Sequence, residues 1–248
     1  MNNHFGSIER CETQCMARTT DDIARLGKMI QAIGMENVYR SIYDAEGNLI
    51  AAGRKPVRKE VVDDFSRLDF AGKSVVDLGC NFGFFSILCA KLGAARVLGI
   101  DYLPRLKDAA MLLADIHGVP GVRFATGDIE RSLEHFGRFD VAMMLDYLGK
   151  GCTRKGKTQK LLFRLADLAD RELLLILRPV YHIRKELKMT RRELAQRYPG
   201  KYICGDYFEL LNFSRDCLSG KWEMQPISTV TRYYEKQKSL VRFQKKQR

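Results

Sequence analysis

A chain of 248 residues that is 46% apolar and 29% charged has the composition of a folded globular protein, with length for one large domain or one domain plus an appendage. No apolar run exceeds about half a dozen residues, so no membrane span is expected. The formal charge of +12 is unevenly placed: residues 1–149 carry 18 basic and 20 acidic side chains, whereas residues 150–248 carry 24 and 10. An asymmetry of this size points to an anionic partner or to a solvated basic surface.

The first fifteen residues contain neither a basic nor an apolar stretch of the kind that directs secretion, and a cytoplasmic protein is expected. Seven scattered cysteines fit reduced thiols better than a disulfide framework. Cys11 and Cys15 form a C-x3-C pair, but Arg18 stands where a radical-cluster motif needs a third cysteine and no histidine follows closely, so no metal is expected.

Residues 1–70 read as a cap or lid ahead of the main domain at 71–248. Thr20-Asp21-Asp22 opens a helix carrying Ile23, Leu26, Ile30 and Ile33 on one face, with Gly34 as its stop. Two short strand-like runs then flank Ala45-Glu46-Gly47-Asn48, a hairpin signature. Pro56 heads a second helix with Val57, Val61, Val62, Phe65 and Leu68 on one side.

From Lys73 onward, apolar runs at 74–78, 96–101, 122–127, 139–145 and 172–178 alternate with helical stretches at 83–92, 104–116 and 155–169. Continuous apolar strands are buried on both faces, and such alternation predicts a doubly wound, mostly parallel α/β sheet. A basic helix is expected at 184–197. Alternating runs at 202–214 and 227–236 predict a C-terminal antiparallel pair that brings the sheet to seven strands.

The first strand ends in Asp77-Leu78-Gly79-Cys80-Asn81-Phe82-Gly83, and a helix follows at once. A dinucleotide fingerprint built on Gly79 would need glycines at 81 and 84, where Asn81 and Phe84 stand, and a triphosphate-binding loop is also absent. The segment resembles instead the first motif of the class I S-adenosylmethionine-dependent methyltransferases, with Asn81 where many members carry glycine. The resemblance continues in register over roughly residues 72–180. It implies that Asp101, 24 residues on at the end of the second strand, accepts hydrogen bonds from ribose hydroxyls. It also implies that Asp128 and Ile129 meet the adenine edge, and that Gly79 and Gly83 flank the methionine portion with Asp77 near its ammonium.

Methyl transfer from a sulfonium requires chiefly in-line positioning and removal of an acceptor proton. Asp146, after the fourth strand, is the first choice for a base or acceptor-orienting group, and His182, after the fifth, is the second. His4, His117 and His135 fall in terminal or helical contexts, and Cys152 lacks the setting of a nucleophile. The acceptor side stays open between a small anionic metabolite, lipid head group or sugar and an RNA. The RNA reading draws on the basic loop 150–160, on Arg184, Lys185, Lys188, Arg191 and Arg192, and on Tyr202, Tyr207 and Phe208 as stacking surfaces. A non-catalytic S-adenosylmethionine-binding protein is the alternative outside the enzymes.

Overall fold

Thr20 and the two aspartates after it begin helix α1, which spans 20–33 in a computed structural model that describes residues 20–55, 59–131, 133–227 and 238–247. The helix buries Leu26, Ile30 and Ile33 and stops at Gly34, whose φ of 97° few other residues would adopt. A hairpin follows, β1 (Ile42–Tyr43) with β2 (Leu49–Ala51), its turn held by the Asn48 backbone N–H donating to the Asp44 carboxylate at 2.7 Å. Helix α2 (Lys59–Ser66) buries Val61 and Phe65, the latter stacked on Phe70 at 5.1 Å. Pro56 and Val57, with Cys11, Cys15 and His4, lie outside the described residues.

The alternation from residue 74 onward is β3 (Ser74–Leu78), α3 (Phe84–Lys91), β4 (Arg96–Asp101), α4 (Pro104–Ile116), β5 (Val122–Thr126) and β6 (Phe139–Leu145). Two short helices, α5 (Lys150–Arg154) and α6 (Thr158–Leu168), then lead into β7 (Ala169–Leu177). Beyond them lie a small three-stranded sheet, made of β8 (Tyr181–His182), β9 (Ile203–Cys204) and β10 (Tyr207–Phe208), and helices α7 (Arg191–Ala195) and α8 (Leu210–Leu218). The last strands are β11 (Trp222–Pro226) and β12 (Ser239–Lys245).

The main sheet runs β11-β12-β7-β6-β3-β4-β5. Pairing is parallel from β7 through β5, while β12 lies antiparallel to β7 and β11 antiparallel to β12. Winding reverses at β3, between β4 and β6, and in such sheets the crevice at the carboxyl ends beside the reversal is where ligands bind.

Both faces are buried, which explains the unbroken apolar strands. Along β7, Leu173, Leu175 and Leu177 enter the core under α6 and α8, whereas Leu174 and Ile176 enter the opposite core under α3 and α4. That second core also takes in Leu26, Ile30, Val38, Ile42, Val61 and Phe65, so the N-terminal segment packs onto the sheet and shares its hydrophobic core.

Three local expectations differ. The basic stretch 184–197 is two pieces, a wide turn at Ile183–Leu187 and then α7, parted at Lys188 with φ 53°. Thr190 opens α7 with a reciprocal Thr190/Glu193 capping box. Only the short β9 and β10 are strands within 202–214, because Gly205 turns the chain and Leu210, Leu211, Phe213, Ser214 and Leu218 fall on one face of a helix. The antiparallel pair at the sheet edge is therefore β11 with β12, and residues 228–236 of the other expected run lie outside the described residues. The stretch 150–160 is helical on both sides of Gly156 (φ 69°).

Two glycines make room for one ring. A Cβ at Gly83 would come within 2.3 Å of the Phe124 ring and one at Gly99 within 2.5 Å, and Phe124 itself is buried. Gly99 has ordinary backbone angles, so Gly99→Ala tests packing alone. It is expected to lower unfolding free energy by about 1–3 kcal/mol through overpacking, with part of the loss recovered when Phe124→Leu is added. Urea unfolding of the two single variants and the pair measures this.

Candidate functional site

The carboxyl end of β3 turns sharply at Gly79 (φ 76°), Asn81 (φ 53°) and Gly83 (φ 79°) before α3 begins. Glycine suits such angles, and asparagine tolerates them better than most residues. A Cβ at Gly79 would approach the Tyr147 ring to 2.8 Å, so this position is restricted by packing as well as by backbone.

Asn81 ties three segments together. Its backbone N–H donates to Asp101 Oδ2 at 2.9 Å, its side-chain amide donates to the Asn37 carbonyl at 2.9 Å, and its Oδ1 accepts from the Tyr39 backbone N–H at 3.3 Å. Asp101 also accepts from the Leu103 backbone N–H at 3.3 Å, and burial raises its pKa. The Asp101 carboxylate thus stands at the rim between the glycine turn and the start of α4.

Asp77 is buried inside the turn and accepts from Ser86 Oγ at 2.7 Å. Burial pushes its pKa up to about 7, assisted by the negative charge of Asp101 and opposed by Ser86 and Arg40. Asp128 is half exposed and accepts from the Glu130 backbone N–H at 2.9 Å, while Ile129 is buried. The structure thus brings Asp77, Gly79, Asn81, Gly83 and Asp101 to one turn, with Asp128 and Ile129 beyond the neighbouring β5.

Asp146 follows β6 with φ 66°, and its two carboxylate oxygens are taken by cations: Arg40 bonds Oδ2, and Lys238 reaches Oδ1 at 2.5 Å. Arg40 also lies over the Phe85 ring, 4.8 Å from its centroid, and Lys238 donates to the Tyr39 hydroxyl at 3.2 Å. His182 stands apart in the small sheet, its Nδ1 accepting from the Lys185 backbone N–H at 3.3 Å and its ring 5.2 Å from that of Tyr207. Cys152 is half-buried beside the Tyr147 carbonyl, and burial raises its thiol pKa, which disfavours the thiolate.

A cavity of about 190 Å³ opens beside the turn, between residues 39–43 and α3. Asp77, Gly79, Asn81 and Arg40 form its polar end, and its walls are otherwise mostly apolar. Neither Asp101, Asp146 nor His182 lines it. At the far end Lys91 Nζ lies 2.9 Å from His117 Nδ1, and His117 Nε2 lies 3.0 Å from the Tyr43 carbonyl. A carbonyl only accepts, so Nε2 bears the proton and Nδ1 receives the Lys91 ammonium. Burial, and the Lys91 charge after it, lowers the His117 pKa.

Sequence reasoning missed Arg40, Lys238 and Tyr39, which reach the site from distant segments, and Ser86. The serine had a visible signal: it is the one hydroxyl in the otherwise apolar turn FFSILCA, three residues past Gly83. On the basic side, Tyr202 and Phe208 are buried in an aromatic cluster with Tyr198 and Phe213, so they offer no stacking face. Among the described residues no group of His, Cys, Asp and Glu has the arrangement to hold a metal ion, and no helix is long and apolar enough to cross a membrane.

Asp77 makes stability depend on pH with a defined sign. Its pKa is raised from 3.8 to about 7 on folding, so its stabilising contribution is fully present below pH 3.8, falls as pH rises through 7, and is flat above. The contrast with Asp77→Asn, whose amide does not titrate, is expected to grow in favour of the variant by up to about 4 kcal/mol between pH 4 and 8. Urea denaturation of both proteins across that range gives the difference directly.

Residues 75–166 match the family model described as a methyltransferase domain. A stretch of 75 residues is 41% identical to the ribosomal protein L11 methyltransferase of Aeromonas salmonicida (strain A449), covering 30% of this chain and 26% of that protein. The protein of the same name from Escherichia coli (strain 55989 / EAEC) is 34% identical over 84 residues, 34% of this chain and 28% of its own. The chain thus spans little more than a quarter of the curated relatives it matches. Among solved structures, magnesium protoporphyrin IX methyltransferase from Synechocystis PCC 6803 with bound SAH superposes with a TM-score of 0.52 at 22% identity, over 75% of this chain and 83% of that one. An O-methyltransferase family protein from Burkholderia thailandensis gives a TM-score of 0.55 at 18% identity, over 75% and 55%. The order of the strands, the turn after β3 and the match over residues 75–166 agree: this chain contains a methyltransferase domain with the class I, Rossmann-like fold.

Proposed function

We propose that the chain is a methyltransferase that takes its methyl group from S-adenosylmethionine and delivers it to an oxygen or nitrogen of a small anionic acceptor. The observation that carries the donor side is the Asp101 carboxylate, held beside the left-handed turn by backbone N–H donors and, among the described residues, without a cation on it. Each carboxylate oxygen keeps acceptor capacity, which suits two vicinal ribose hydroxyls. The residues present fit the donor: Gly79 and Gly83 let the chain pass close, Asn81 fixes the turn, and Asp77 lies where an ammonium group is expected. Asp128 and the Ile129 backbone stand at the next strand end, for the adenine edge.

When bound, the donor supplies an activated methyl group whose C–S bonding pair returns to sulfur on transfer. The protein's task is to orient the acceptor and to exclude water. Asp146 fills an orienting role. Both of its oxygens are engaged by Arg40 and Lys238, so the cluster carries one negative and two positive charges and draws an anionic acceptor toward the rim. His182 is assigned to the acceptor side, on a separate element.

The basic surface is partly spent on internal pairs: Lys150 and Arg178 meet Glu186, and Lys157 meets Glu130. With Tyr202 and Phe208 buried as well, an RNA acceptor draws less support than a small anion.

Isothermal titration with S-adenosylhomocysteine tests the donor site. Asp101→Ala is expected to weaken binding about 10- to 100-fold, the loss of hydrogen bonds to a charged group, while NAD shows no saturable binding. Equal affinity in wild type and Asp101→Ala overturns the assignment.

A further inference from the structure

The cavity beside the glycine turn has more apolar wall than a methionine chain requires. Ile42 from the hairpin, Val62 from α2, Phe85, Ile87 and Leu88 from α3, and Leu113 from α4 enclose it. It extends from Gly79 and Asn81 at the rim toward the far ends of α3 and α4, at Lys91 and His117. An apolar cavity of roughly 150 Å³ stays dry and takes up benzene, so about 190 Å³ holds one aromatic ring or a short hydrocarbon chain with a little space over.

The polar end limits what the ring can carry. Arg40 is both a lining residue and the partner of Asp146, and Lys238 completes a cluster with one more positive than negative charge. Asp77 is the only carboxylate lining the cavity among the described residues, and its Oδ2 accepts from Ser86. The Asp146 carboxylate is occupied by its two cations. A neutral alcohol or amine acceptor would need to pass its proton to Asp77, which is buried and already bonded by Ser86, or to Asp101, which the ribose of the donor would engage. An acceptor that arrives already as an anion needs none.

We propose that the acceptor is a small amphiphilic acid, an aryl or alkyl carboxylate, with its apolar group in this cavity and its carboxylate against Arg40 at the donor rim. The inference rests on the methyltransferase reading for its chemistry and on the cavity for its binding site. In the reaction a carboxylate oxygen lone pair forms the new C–O bond, the C–S bond of the donor breaks with its pair left on sulfur, and a methyl ester leaves. No proton changes hands. The specificity residues are Val62, Leu88 and Leu113 for the apolar group and Arg40 for the carboxylate.

The test uses 3-phenylpropanoate as the probe on the full chain, followed by titration calorimetry and by transfer of label from S-adenosyl-[methyl-³H]methionine into solvent-extractable ester. Wild type is expected to bind 3-phenylpropanoate at least tenfold more tightly than acetate. Val62→Trp, which fills the cavity from its half-buried wall, is expected to weaken that binding at least tenfold and to leave S-adenosylhomocysteine affinity within twofold. Leu88→Phe serves the same purpose should the larger substitution fail to fold, and Arg40→Gln is expected to remove the preference for 3-phenylpropanoate over 3-phenylpropanol. Saturable S-adenosylhomocysteine binding without saturable 3-phenylpropanoate binding overturns this inference and leaves the proposed function standing. Binding of 3-phenylpropanoate without S-adenosylhomocysteine binding overturns the proposed function and the acceptor role, leaving an acid-binding site. Equal 3-phenylpropanoate affinity in wild type, Val62→Trp and Leu88→Phe overturns the placement in the cavity, and label found only in RNA or protein overturns the substrate class.

Discussion

One side chain, Asn81, sets the geometry on which the rim depends. Its backbone takes a left-handed angle, which aims its N–H at Asp101, while its amide holds the carbonyl of Asn37 and the N–H of Tyr39. A glycine could supply the angle but not the amide. The turn after β3 is therefore joined to residues 37–39, and that attachment carries Arg40 into the cavity and onto Asp146. The roof of the cavity, the charge at its polar end and the orientation of Asp101 all follow from one residue in a strained conformation, its angle compensated by three hydrogen bonds.

The site combines two treatments of buried acid. Asp77 is withdrawn from water and bonded by the Ser86 hydroxyl, and the cost of desolvating charge is met by a raised pKa. Asp146 is also largely shielded, with 8% of its side chain exposed, but it is compensated by two cations. The rim thus sets one carboxyl that binds protons near neutrality beside another locked in an ion cluster.

The sheet was legible because its physics is local. Strands β3, β4 and β6 are largely apolar runs and the edge strand β5 alternates, all bounded by Gly, Pro or polar breaks, so their limits could be read to within a residue, and the motif residues at their carboxyl ends came with them. What escaped depended on distant partners or on competing local signals. Nothing in Tyr39-Arg40 announces a contact with Asn81 or Asp146, some 40 and 106 positions away. The stretch 202–208 alternates like a strand, yet Gly205 breaks it and the helical spacing of Leu210, Leu211 and Leu218 prevails. At 184–197 a capping box at Thr190 was present in the sequence and would have divided the expected helix in two. Aromatic residues posed the reverse problem, since Tyr202 and Phe208 read equally as stacking surface or as core, and only packing against Tyr198 and Phe213 decides for the core.

The Arg40, Asp146 and Lys238 cluster draws its members from near the beginning, the middle and the end of the chain, with separations of 106 and 92 positions. Contacts of such range close late, since each requires a long loop to be ordered first. During synthesis the glycine turn and its neighbouring strands can form before the last strands are made, but the ion cluster stays incomplete until residue 238 has emerged and β12 has docked on β7. A nascent chain of this protein can thus acquire its glycine turn well before it acquires the complete ion cluster beside it.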